Sequence, residues 1–434
     1  MKKIVYIPVE VAKREVLPKS FLAAFLANKG CTVYLFEDYI FDRFGYPGPG
    51  IYLGKNVFKT EVPYSLEYYD SLKQNGIHLY YLDEEGGVYP GTFEDNWQKI
   101  IVARTDPNSF SVDDHYLSWG SWQATLYNEL SKAQVHITGS PNYEICKPKY
   151  KQCLEAVDKD IRNSCNNYIL VNTRFNLANP MKGLGSFFGE NSPSSKNITD
   201  DFYISLVAAD FQYLGKFIEL LLVLAMRFDN IPIVIRPHPT ENHDFYRKIF
   251  YGMKNVVVNG DGHISSWVRA ASVIIHNGCS TALQAVFAEK PVITYLPTAA
   301  EVVGPTLPNA VGWRATSSEE VIALVGKAIR GELQPLVGCD INSTVASVDS
   351  FDVIAELISR SNICGNENNL VLKIIALKIG IKFSVRWLIG RDISFDYEEF
   401  DRVPSYVGAA RDYLSADIKA SRICSGIYKV ELNK

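Results

Sequence analysis

The stretch Val273-Ile274-Ile275-His276-Asn277-Gly278-Cys279-Ser280-Thr281-Ala282-Leu283-Gln284 runs from a β-branched segment through a Gly turn into a helix start. Successive β-branched residues favour a buried strand, and a strand leading through a tight turn into a helix is half of a βαβ unit. The same grammar repeats on either side. Tyr168 to Asn172 reads as a strand, Phe202 to Phe228 as a long helix, Ile231 to Ile235 as a strand and His243 to Gly252 as a helix. Val256 to Val258 is then a strand, Ile264 to Ala271 a helix, Thr281 to Ala288 a helix and Pro291 to Tyr295 a strand. Such alternation predicts a parallel, doubly wound sheet whose ligands sit at the carboxyl ends of its strands.

The first half opens the same way. Lys3 to Ile7 is a strand, Lys19 to Lys29 a helix ended by Gly30, and Thr32 to Phe36 a second strand. Ile77 to Leu82 and Lys99 to Ala103 read as further buried strands, and Val135 to Thr138 precedes Gly139-Ser140-Pro141. Gly183 to Asn197, rich in Gly, Ser, Asn and Pro, reads as a loop. The predicted architecture is α/β: two Rossmann-like doubly wound domains, at 1–150 and 166–330, facing a central cleft, with a helical tail at 331–434. A chain of 434 residues is long enough for both domains.

Composition excludes several classes. A net charge of −4 leaves no global basic field, so no nucleic-acid partner is expected. The eight cysteines form no CxxC pair and no zinc-ligand spacing, and a reduced, cytoplasmic setting is the default. The apolar run after Met1-Lys2-Lys3 is cut short by Glu10, Lys13 and Arg14, too soon for a signal peptide. Leu220 to Met226 is far shorter than the roughly 20 residues of a membrane span.

Three segments carry chemistry. Arg236-Pro237-His238-Pro239 closes an apolar strand, and the flanking prolines stiffen the backbone around His238, which suits an anionic ligand. A His packed in a turn is the alternative. In Asn277-Gly278-Cys279-Ser280-Thr281 the hydroxyl of Ser280 or Thr281 can cap the next helix, whose free N–H groups favour a phosphate; capping alone also accounts for them. Asp83-Glu84-Glu85-Gly86-Gly87 places three acids after a strand, where one or two can face the cleft as base, nucleophile or electrostatic stabiliser, or all can form a solvated turn. No GxxxxGK[ST] occurs near these segments.

Together these segments resemble the bacterial surface carbohydrate biosynthesis proteins, a GT-B glycosyltransferase group similar to bacterial sialyltransferases and β-Kdo transferases. The resemblance rests on Ile7-Pro8-Val9-Glu10 through Arg14-Glu15, on Leu82-Asp83-Glu84-Glu85-Gly86, on Arg236-Pro237-His238-Pro239 and on Asn277-Gly278-Cys279-Ser280-Thr281-Ala282-Leu283-Gln284-Ala285, and spans roughly residues 1 to 330. It implies a CMP-activated 2-keto acid donor and a lipid-linked or oligosaccharide acceptor, with no cofactor and no metal. It implies that His238 and its neighbours Arg236 and Pro239 contact the donor phosphate, with Asn277, Gly278, Ser280 and Thr281 closing on the same group. Asn172 and Arg174 would meet the donor or its carboxylate. The catalytic carboxylate is implied to be Glu84, with Asp83 and Glu85 the other choices. Attack by the acceptor hydroxyl with inversion and attack by the carboxylate with retention both remain open. A UDP-sugar transferase, a UDP-GlcNAc 2-epimerase-like enzyme and a non-catalytic nucleotide-sugar-binding subunit are the alternatives.

Leu370 to Arg391 carries Lys373, Lys378, Lys382, Arg386 and Arg391 and no acid. At 100° per residue Lys378, Lys382 and Arg386 fall within about 80° of one another, as in a helix lying on an anionic membrane; a helix packed across the domains with solvated lysines is the alternative.

Overall fold

The computed structural model describes residues 2–38, 40–55, 57, 65–84, 97–159, 167–185, 201–298, 306–337, 341–388 and 395–433. In the first sheet, β1 (Ile4–Val9), β2 (Thr32–Glu37), β3 (Gly50–Gly54), β4 (Ile77–Leu82), β5 (His115–Ser118) and β6 (Gln134–Ile137) run parallel in the order β2-β1-β3-β4-β5-β6. All six residues of β1 are buried, as a strand covered on both faces requires.

The second sheet contains β7 (Ile169–Asn172), β8 (Ile233–Arg236), β9 (Val256–Val258), β10 (Val273–His276), β11 (Val292–Tyr295) and β12 (Trp313–Ala315), all parallel, in the order β12-β11-β10-β7-β8-β9. Numbered within the domain this is the 3-2-1-4-5-6 order of dinucleotide-binding sheets. Alternate residues serve opposite faces. Ile169 and Val171 pack into a core on one side, while Leu170 and Ile274 join a core continuous with that of the first domain.

The chain then returns to the first domain. The helices Ser350–Arg360 and Val403–Leu414 pack on the helix Ala12–Asn28, with Phe351 tilted against Phe21 and Phe25. The tail holds the predicted helices but also a hairpin, β13 (Ile418–Cys424) and β14 (Ile427–Leu432), and β14 adds to β2 antiparallel. Its turn uses Gly426 at φ +83°, a backbone that favours glycine.

Two first-half expectations are corrected. Lys99 to Ala103 is not a strand but part of the helix Gln98–Arg104, with Ile101 buried and Ile100 and Val102 half-buried. So short an apolar run fits either element, and β5 takes the sheet position. The first helix begins at Ala12, not Lys19, and runs through Pro18. Its first turns are rich in charge, yet Glu15 and Lys19 are buried. Of the predicted Gly183–Asn197 loop, 186–197 lies outside the described residues.

Candidate functional site

In each sheet the strand order reverses once, and the crevice at that reversal is where a ligand can reach the carboxyl ends without a crossover helix in the way. In the second sheet it lies between β7 and β10. Asn172 ends β7 and donates through Nδ2 to Thr281 Oγ1 at 2.8 Å. The Oδ1 atoms of Asn172 and Asn277 are buried without a hydrogen-bond partner. Gly278, at φ +95°, turns the chain, and its N–H donates to His276 Nδ1 at 3.0 Å. The His276 Nε2 lies 2.8 Å from Thr294 Oγ1. Burial pushes the His276 pKa down to about 3, so this ring is a neutral brace.

The capping expectation finds neither hydroxyl in that role. Ser280 has helical backbone angles and makes no side-chain cap bond, and the Thr281 hydroxyl accepts from Asn172. The helix Thr281–Phe287 has only 7 residues, so its macrodipole is short.

His238 follows β8 in a turn organised by one carboxylate. Glu241 is fully buried and accepts from the His238 N–H at 3.0 Å, the Thr173 hydroxyl at 2.9 Å and the Tyr246 hydroxyl at 2.6 Å. The Thr240 N–H donates to His238 Nδ1 at 3.3 Å, which assigns the ring proton to Nε2. The residue is exposed, yet partial burial of its ring, with Arg174 and Arg14 adding positive charge, pushes its pKa down to about 4. His238 is therefore a neutral Nε2–H donor at pH 7. Pro239 follows it, exposed. Arg236 is committed elsewhere: its guanidinium donates to the carbonyls of Asp261 at 2.7 Å and Gly262 at 2.5 Å and lies over the Trp267 ring at 5.6 Å. It braces the loop after β9.

In the first sheet the reversal lies between β1 and β3. Glu10 follows β1, Lys55 follows β3, and they pair across the crevice at 2.9 Å. Beneath them is a buried ionic cluster. Lys19 Nζ is 2.8 Å from Glu15, 3.1 Å from Glu84 and 2.6 Å from the Pro8 carbonyl, and Lys55 is 3.2 Å from Glu15 and 3.6 Å from Glu84. Burial and the negative charge of Glu15 raise the Glu84 pKa against the pull of Lys19 and Lys55. Glu15 behaves oppositely: burial favours its neutral form, but Lys19, Lys55 and Arg14 outweigh that and hold it well below the usual carboxylate range. One acid of the pair is thus kept ionised while the other is biased toward binding a proton, which is what acid–base chemistry requires.

The neighbouring Asp83 faces the other way. Its carboxylate accepts from the Tyr116 hydroxyl and Gln123 Nε2, each at 3.0 Å, and its carbonyl accepts from Trp119 Nε1 at 2.6 Å. Glu85 lies outside the described residues. Among the described residues no group of three or more His, Cys, Asp or Glu side chains is placed to hold a metal ion.

The two reversal points meet through the loop after β1. His263 Nε2 lies 3.0 Å from the Arg14 carbonyl, and the Ser265 N–H donates to its Nδ1 at 3.1 Å, so Nε2–H is the donor across the domains. Lys13 pairs with Asp261 at 3.0 Å. Arg14 reaches both centres: its guanidinium is 3.3 Å from Glu15 and its charge bears on His238. The positive charge of Arg14 thus bears on both Glu84 and His238, that of Arg174 on His238. Asn172, Asn277, Gly278 and Thr281 stand together at the second reversal, while Asp83 is engaged by Tyr116 and Gln123 and Arg236 by the loop after β9. Sequence reasoning gave no role to Lys19 or Lys55 and took Arg14 and Glu15 only as part of a resemblance. The available signal was Glu15 and Lys19 at i and i+4 on the apolar side of a helix, where charges survive only if paired.

No family model matches this chain, and no curated protein matches it by sequence. Solved structures do match. The UDP-GlcNAc 2-epimerase of Methanocaldococcus jannaschii is 10% identical at a TM-score of 0.50, over 83% of this chain and 100% of that one. The UDP-GlcNAc 2-epimerase of Neisseria meningitidis bound to UDP-GlcNAc is 11% identical at 0.44, over 83% and 100%. The wall teichoic acid polymerase TagF is 11% identical at 0.40, over 82% and 88%. At such identities the likeness is one of fold, carried by the Methanocaldococcus jannaschii structure: the chain has a two-domain, GT-B-like α/β fold.

Proposed function

We propose that this chain is a nucleotide-sugar enzyme whose ligand lies between the two strand-order reversals, and specifically a glycosyltransferase that moves a 2-keto sugar acid from its CMP-activated form to a lipid-linked or oligosaccharide acceptor of a bacterial surface glycan. Pseudaminic, legionaminic and sialic acids and Kdo are the candidate sugars. The observation that carries the reading is the buried Glu15–Lys19–Lys55–Glu84 cluster at the first reversal, with Arg14 3.3 Å from Glu15 and its positive charge bearing also on His238. His238 offers a neutral N–H to a phosphate oxygen, while Arg14 and Arg174 supply two positive charges close by. That is more charge than one phosphodiester needs and suits a donor that also carries a carboxylate. Glu84 would take the acceptor proton or attack the anomeric carbon, with the lysines tuning it.

A second reading, an enzyme of the UDP-GlcNAc 2-epimerase kind, is favoured by the same cluster, since an ionised carboxylate beside one whose pKa is raised suits proton removal and return at carbon. The solved structures of similar fold include such epimerases. Purified protein incubated with CMP-sugars and an acceptor, and separately with UDP-GlcNAc, tests both. Turnover of a CMP-sugar by the natural chain that is lost in Glu84→Gln and in His238→Ala, with both variants still melting cooperatively, supports the first. CMP release indifferent to both substitutions overturns it, and epimer formation from UDP-GlcNAc supports the second.

A further inference from the structure

The helix Asn369–Leu388 has two apolar sides. With successive residues about 100° apart, Leu372, Ile375 and Ile379 share an arc of about 60°. All three are buried in the core, where the helix packs against β13. Leu370, Ile374, Leu377 and Ile381 share the diametrically opposite arc, again about 60° wide. They are 67%, 42%, 66% and 57% exposed. Exposed Lys373 and Lys378 stand about 40° beyond either edge of this stripe. The helix contains no Asp or Glu, although acids make up 48 of the chain's 434 residues.

Four aliphatic side chains in one row facing water mark a surface that binds something. The charges choose the occupant. A second copy laid along the same stripe would set lysine against lysine with no acid to pair, which disfavours self-association. An anionic lipid surface meets both demands: acyl chains take the stripe, and the lysines reach outward to lipid phosphates. Because the opposite face is committed to the protein core, the helix can only lie along such a surface. We propose that Leu370, Ile374, Leu377 and Ile381, flanked by Lys373 and Lys378, seat this protein in the interface of an anionic membrane. The inference goes beyond the nucleotide-sugar reading and does not depend on it.

Co-sedimentation of the full chain, without nucleotide, with phosphatidylcholine vesicles and with vesicles containing phosphatidylglycerol tests it. Binding to the anionic vesicles, weakened by salt and about tenfold or more stronger than to phosphatidylcholine alone, is expected. The pair Lys373→Gln and Lys378→Gln should lower the partition coefficient about fivefold per lysine, and the pair Leu370→Ser and Leu377→Ser should abolish binding. Both pairs alter exposed side chains, so an unchanged melting temperature verifies folding. No binding to anionic vesicles, binding indifferent to lipid charge, or binding unaffected by the serine pair overturns the proposal. So does a dimer in sedimentation equilibrium that the serine pair dissociates. Nucleotide is absent from every arm, so failure of the catalytic reading would leave these outcomes unchanged.

Discussion

The two strand-order reversals solve the same problem with opposite means. In the second sheet the reversal itself is lined by neutral groups, Asn172, Thr281 and Asn277 with His276 held uncharged beneath them, and charge enters only beside it, at the His238 turn. In the first it is built from buried charges, with Glu15, Lys19, Lys55 and Glu84 compensating one another. A neutral, hydrogen-bonded crevice can fix a ligand's position without favouring one protonation state. A buried ionic cluster is costly to assemble but can shift a carboxyl pKa. On the proposed function, the second domain would bind the ligand and the first would handle the proton, with the Arg14 charge bearing on both.

The largest effect should come from breaking the ionic cluster. Lys19→Met leaves Glu15 and Glu84 facing each other with one counter-ion fewer and should cost about 3–5 kcal/mol in urea unfolding; Lys19→Arg, which keeps the charge, should cost far less. If Lys19→Met is neutral, the cluster is not the buried network described.

Acid should next disturb the neutral side. His263 and His276 are buried, each with its pKa pushed down to about 3, against about 6.5 for an unfolded histidine. Between those values the unfolded chain binds more protons than the folded one, so stability is full above about pH 6.5 and is lost as pH falls. Melting curves should show a loss of roughly 2 kcal/mol per histidine at pH 5. His276→Gln, which cannot protonate, should flatten that slope.

Smaller effects sharpen the picture of the second crevice. Thr281→Val removes the acceptor of the Asn172 amide and should cost about 1 kcal/mol. Ser280→Ala removes a hydroxyl that makes no cap bond and should change stability by less than about 0.5 kcal/mol. A larger loss for Ser280→Ala would mean that the hydroxyl caps the helix after all.

Much of the second domain was legible because its strands are unbroken β-branched runs. Val256–Val258 and Val273–His276 fall where the sequence places them. The first domain was harder to read. β3 is a five-residue strand bounded by glycines, and β5 begins with a histidine, so neither shows a long apolar run. The ionic cluster was hidden for a related reason: Lys and Glu look solvated in a linear sequence, and only the pairing of β3 with β1 and of β4 with β3 brings their partners together. His238 was legible from its prolines, but its charge state was not, because that depends first on burial of the ring in the folded chain and then on the charges of Arg174 and Arg14.

The central claim, that one ligand bridges both reversals through Arg14 and His238, is tested most directly by calorimetric titration of CMP, CDP and UDP into the intact protein and its variants. The account predicts that at least one nucleotide binds and that Arg14→Ala and His238→Ala each weaken it about tenfold or more while both variants still unfold cooperatively. Nucleotide binding of unaltered affinity in both variants would contradict it.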